Sequence, residues 1–169
     1  MDIIARGVLS ALVLSAVASG TANAQPYTIN FKSSALTPAN GTPGVPGATF
    51  FRISLTIAAL PPKGACTSTG ITVNSFSDGA NSMASLSASG YTRYPGASFE
   101  TVCTNLRTGA IAFKKTSLTE TWVRPESNGA DSYAAILSKK QTTIGLTLAP
   151  STVYVSQATK GHWKLVTTP

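Results

Sequence analysis

Period two runs through most of this chain. Tyr27, Ile29 and Phe31 alternate with Thr28, Asn30 and Lys32, as a half-buried strand requires. Phe51, Ile53, Leu55 and Ile57 repeat the pattern against Arg52, Ser54 and Thr56, until Pro61-Pro62 stops it. Ile71, Val73 and Ser75 predict another strand, and so do Ser98 to Leu106, and Ile111 with Phe113. At Lys114-Lys115 the parity breaks: the next apolar positions, Leu118 and Trp122, are even-numbered, so a turn or bulge lies between. Pro125 and Asn128-Gly129 end that strand and predict a hairpin into Tyr133, Ala135 and Leu137. Ile144, Leu146 and Leu148 alternate with Thr143, Gly145 and Thr147 up to Pro150, Val153 and Val155 follow, and a last strand covers His162 to Thr167.

Helical spacing is nearly absent. Met83 and Leu86, three apart within Ala80 to Ser89, allow one short helix, which the serines around them support poorly. Turn dipeptides recur at Asp78-Gly79, Pro95-Gly96, Thr108-Gly109 and Lys160-Gly161. Eight to ten short strands at such intervals predict an all-β fold, an antiparallel β-sandwich of immunoglobulin-like or jelly-roll-like kind, or a small barrel. The stretch Pro38 to Gly47 holds three prolines and three glycines. It is either a long connection or the tether of an N-terminal arm.

The N-terminus departs from this pattern. Arg6, the apolar run Val8 to Val17 and the small-x-small triplet Ala22-Asn23-Ala24 make up a cleavable export signal, residues 1–24. Its apolar run is shorter than the roughly 20 residues a membrane span needs. Residues 25–169 then form a single domain, expected to be secreted, periplasmic or on the cell surface, with no membrane span. In that setting the only two cysteines, Cys66 and Cys103, are expected to form a disulfide.

Charge is sparse and lopsided. Charged residues are 11% of the chain, yet 13 Lys and Arg face 6 Asp and Glu, for a formal net charge of +7. Removing residues 1–24 takes Asp2 and Arg6 together, so the balance does not change. A positive surface suits an anionic or glycan surface as partner, or other protein subunits. Two basic doublets, Lys114-Lys115 and Lys139-Lys140, stand at predicted turns and would form a basic patch if they share one end of the sandwich. Tyr91, Arg93 and Tyr94 precede Pro95-Gly96 and make a candidate binding loop, since exposed aromatics beside a cation suit sugar rings or a protein hot spot.

The residue inventory points away from catalysis. His162 is the only histidine, and on an alternating strand beside Lys164 it reads as a surface or rim residue. No Gly-x-Ser-x-Gly elbow and no phosphate loop occurs. Glu120 and Glu126 are the nearest carboxylates that could serve as a glycosidase pair, and they straddle a predicted strand end. No cofactor motif, metal cluster or nucleic-acid signature is present in the sequence.

The expectation is therefore an exported structural or adhesion subunit without enzymatic activity. Alternatives are a periplasmic or secreted inhibitor or immunity protein, and a carbohydrate-binding module. A leader, a single disulfide, abundant Ser, Thr, Ala and Gly and few charges also make the chain similar in composition to bacterial fimbrial subunits of the chaperone–usher kind. That resemblance implies an incomplete sandwich completed by a neighbour's strand, and hence a homo-oligomer or polymer. Tyr27, Ile29 and Phe31 would then mark the donor strand, with the Pro/Gly-rich stretch as its tether. The terminal segment Trp163 to Pro169 lacks that family's usual pattern.

Overall fold

A computed structural model describes residues 26–67, 70–96, 101–105, 107–108, 111–114, 118–138 and 140–166. The expected leader lies outside them. Four strands make one antiparallel sheet in the order β13 (Gly161–Val166), β1 (Tyr27–Ala35), β3 (Phe50–Ile57), β5 (Ile71–Ser77). We call it the β1 sheet. Six make a second, the β10 sheet, in the order β2 (Thr37–Pro38), β12 (Thr152–Ala158), β11 (Thr142–Leu148), β10 (Gly129–Leu137), β9 (Leu118–Glu126), β6 (Thr92–Gly96). A small third sheet joins β4 (Cys66–Thr67), β7 (Thr101–Thr104) and β8 (Ile111–Lys114). The fold is the expected all-β antiparallel sandwich.

Alternation decides which side of each sheet is buried. Ile29 and Phe31 of β1 and Phe51, Ile53, Leu55 and Ile57 of β3 face the core. Opposite them lie Leu118 and Trp122 of β9, Tyr133, Ala135 and Leu137 of β10, and Ile144 of β11. Phe76 joins the two layers. Its ring stacks on Tyr133 with centroids 5.5 Å apart, meets Trp122 edge-on at 6.1 Å, and lies 6.0 Å from Phe51 of its own sheet. A second tie is polar. Asp78 is fully buried after β5 and accepts hydrogen bonds from the Ala80 and Asn81 N–H groups and from the Tyr133 hydroxyl at 3.1 Å. Burial first, and then the Asp78 carboxylate, push the Tyr133 hydroxyl well above its usual value.

Several local outcomes differ from the sequence expectation. β1 is interior to its sheet: it pairs with β13 on one side (Phe31 opposite Trp163) and with β3 on the other (Phe31 opposite Ile53). The Pro/Gly-rich stretch is the long connection between β1 and β3. It crosses to the edge of the β10 sheet, where β2 pairs with β12, buries Val45, and satisfies the Val45 N–H on Ser156 Oγ at 2.9 Å. Pro95-Gly96 continues β6 rather than turning, because β6 is an edge strand and an edge tolerates a residue without an N–H. β9 likewise runs past Pro125 to Glu126 before the hairpin.

The short helix exists as α1 (Met83–Ala88). The serines that weaken its interior build its start, since Ser82 Oγ accepts from the Ser85 N–H and Ser85 Oγ accepts from the Ser82 N–H. Cys66 and Cys103 are bonded, and they stand directly opposite each other in the β4–β7 pair. Among the described residues no helix is long and apolar enough to cross a membrane.

Candidate anion-binding face

The outward positions of the β1 sheet bring together residues that lie far apart in sequence. The register sets His162 opposite Lys32, Lys32 opposite Arg52, and Arg52 opposite Ser77, one row across four strands. Two residues along, Lys164 faces Asn30, Asn30 faces Ser54, and Ser54 faces Ser75. These two rows line an open groove of about 550 Å³. Arg52, His162 and Lys164 are exposed, and Lys32 is half-buried.

Direct opposition of like charges across a ladder is destabilising. Lys32 and Arg52 nevertheless share a row, and the Phe50 ring offsets part of the cost: Lys32 Nζ sits 4.6 Å and Arg52 Cζ 6.0 Å from its centroid. Among the described residues, no carboxylate lines the groove. The ion pairs among the described residues belong to other cations, Arg93 and Arg124. Among the described residues, Lys32, Arg52 and Lys164 thus have no carboxylate partner and stand over neutral donors and acceptors.

The described acids are used elsewhere. Glu120 is 2% exposed and receives both Nε (2.7 Å) and a terminal nitrogen (2.6 Å) of Arg93. That hydrogen bonding holds the Arg93 guanidinium above its usual value, against the opposing effect of burial. Asp131 accepts from the Ala149 N–H at 2.8 Å and from Arg124 at 2.6 Å, which together depress its pKa below the usual 3.8. Arg124 also pairs with Glu126 at 2.6 Å and covers the Tyr91 ring at 5.2 Å. Burial and the neighbouring Asp131 raise the Tyr91 hydroxyl, with Arg124 opposing them.

The sequence candidates are therefore redistributed. Tyr91, Arg93 and Tyr94 do not share a loop tip: Tyr91 packs against the core, Arg93 is tied to Glu120, and Tyr94 alone points outward, on the opposite face of β6. Glu120 and Glu126 stand six residues apart on one extended strand, so roughly 20 Å separates their backbones, far beyond a glycosidase pair. Lys114 ends β8 and Lys140 is exposed between β10 and β11, while Lys115 and Lys139 lie outside the described residues, as most of that candidate patch therefore does. Tyr27, Ile29 and Phe31 contribute to the chain's own core. His162 is at the rim, as expected, and it belongs to the basic row.

Lys32, Arg52 and Lys164 were visible in the sequence only as polar partners in alternating strands. Their convergence depends on strand order, which alternation does not encode. Comparison with protein-family models, with curated proteins and with solved structures finds no match to this chain.

Proposed function

We propose that this protein is an exported, non-catalytic adhesion or structural protein that holds an acidic polysaccharide on the outer face of the β1 sheet. One observation carries the reading: Lys32 and Arg52 stand side by side in a row with His162, with Lys164 in the next row and no carboxylate among the described residues of the groove. A row of like charges costs folding stability and is repaid when an anion enters it. Asn30, Ser54, Ser75 and Ser77 supply neutral hydrogen-bonding groups between the cations, which suits sugar hydroxyls beside sugar carboxylates or sulfates. The expectation of an anionic or glycan partner, which rests on net charge, suits this face, whereas the carbohydrate-binding alternative rests on Tyr91, Arg93 and Tyr94. The disulfide and the leader-like N-terminus support an oxidising location.

The test is a charge-matched comparison. Immobilised polygalacturonate should capture the protein, neutral dextran should not, and added salt should weaken capture because exposed charges are screened. Lys32→Gln, Arg52→Gln and Lys164→Gln together should weaken binding about tenfold or more, corresponding to about 1.4 kcal/mol. Lys63→Gln, Arg107→Gln and Lys140→Gln remove the same charge from exposed positions elsewhere and should leave binding within about twofold. Equal loss in the two triple variants would mean that net charge alone, and not this face, does the binding.

A further inference from the structure

The opposite side of the sandwich carries a different signal. The outward positions of β6, β9, β10, β11 and β12 hold no charged residue. The middle row runs Tyr94, Thr121, Ala134, Gly145, Val155, small at its centre and flanked by threonine and valine. Three large hydrophobic side chains are exposed among the described residues, Tyr94 (58%), Val153 (45%) and Ile136 (39%), and all three lie on this face. Scattered exposed apolar residues need no explanation, whereas their collection on one uncharged sheet face marks an interaction surface.

We infer that this face pairs with the same face of a second copy of the chain. Charge argues for that occupant. Two chains of formal charge +7 repel, and this face lets them meet with their basic rows turned outward. With sheets stacked about 10 Å apart, the two basic faces would lie about 30 Å from each other, several screening lengths at physiological salt. Area argues the same way. Five strands spaced about 4.8 Å apart, with about seven residues each at ~3.3 Å per residue, give about 550 Å² per copy. The roughly 1,100 Å² of the pair reaches the size that a specific but weak interface needs.

A two-fold axis along β10, the middle of these five strands, sets β6 of one copy against β12 of the other. Tyr94 then packs towards the strand that carries Val153. The pairing does not depend on the polysaccharide reading, but its consequence does: the dimer would present two basic faces in opposite directions and could bridge two polymer chains.

Sedimentation and light scattering of the exported protein, without polysaccharide and at physiological salt, should show a monomer that becomes a dimer as concentration rises. Ala134→Lys and, separately, Thr121→Lys should each raise the midpoint concentration at least about tenfold, because each buries an unpaired cation at the centre of the contact. Circular dichroism should confirm that both variants fold. Lys32→Gln, on the other side of the sandwich, should leave the midpoint where it is. A chain that stays monomeric at every accessible concentration overturns the inference and leaves the face to a different partner. A dimer that persists unchanged in both lysine variants overturns it too, since it must then use another surface.

Discussion

On the outer face of the β1 sheet, three of the four strands contribute a cation or an imidazole: β13 gives His162 and Lys164, β1 gives Lys32, and β3 gives Arg52. On the outer face of the β10 sheet, five neighbouring strands contribute none. The two faces are built by the same alternation and cover the same core. Their difference lies in where the few charges of the chain are spent. Asp78, Glu120 and Asp131 are buried and act as internal ties, with Arg93 and Arg124 as partners to two of them. Of the two outer sheet faces, only that of the β1 sheet carries described cations, Lys32, Arg52 and Lys164.

The largest expected effect is indifferent to both faces. Replacing Cys66 and Cys103 by serine should lower the unfolding free energy by about 3 to 4 kcal/mol, read from denaturant unfolding, because the bridge closes a long loop. The bridge belongs to the small sheet, so whatever fraction stays folded should bind polysaccharide and dimerise as before.

A change beneath the basic face should separate the two sides. A Cβ at Gly161 would lie 2.5 Å from Cε2 of Phe31 and 3.0 Å from the Lys32 carbonyl oxygen. Gly161→Ala must therefore displace the Phe31 ring, which packs 4.8 Å from Trp163, or separate β1 from β13. We expect a loss of about 1 to 3 kcal/mol in thermal or denaturant unfolding. Polysaccharide binding should weaken while the dimer midpoint holds, since His162 and Lys164 depend on that ladder and the β10 sheet does not.

Acid acts on the other layer. Asp131 titrates below 3.8 because the Ala149 N–H and Arg124 favour its charged form. A depressed carboxyl stabilises the fold fully above its unfolded value, and this contribution is lost as pH falls through the lower folded value. Stability should thus decline below about pH 4, and Asp131→Asn should flatten that part of the profile. Unchanged acid sensitivity in the variant would exclude Asp131 as its source.

The smallest effect has an unusual sign. Lys32→Gln relieves a like-charge opposition with Arg52, so stability should hold or rise by a few tenths of a kcal/mol even though ligand binding weakens. A clear loss of stability would mean that Lys32 serves the fold, for instance through Phe50, more than it serves a ligand.

Much of the architecture was legible because burial follows parity. The odd positions of β1 and β3 and the even positions of β11 were readable from alternation, and the pairing of Cys66 with Cys103 from cysteine count and compartment. Illegible were the features set by strand order. Nothing local shows that Tyr27–Ala35 lies between the last strand and β3, or that Lys32, Arg52 and His162 meet in one row. Tyr91, Arg93 and Tyr94 misled for a related reason. Pro95-Gly96 signals a turn in isolation, but on an edge strand it prolongs the ladder and sends alternate residues to opposite faces. The serines of α1 are poor helix-interior residues, yet Ser82 and Ser85 form its cap.

The basic face can be examined without any substitution. Lysine acetylation followed by mass spectrometry, with and without bound polygalacturonate, reports which ammonium groups the polymer covers. Lys32 and Lys164 should lose reactivity in the complex, while Lys63 and Lys140, exposed elsewhere, keep theirs. Protection spread evenly over all four lysines, or confined to Lys63 and Lys140, would contradict binding on this face.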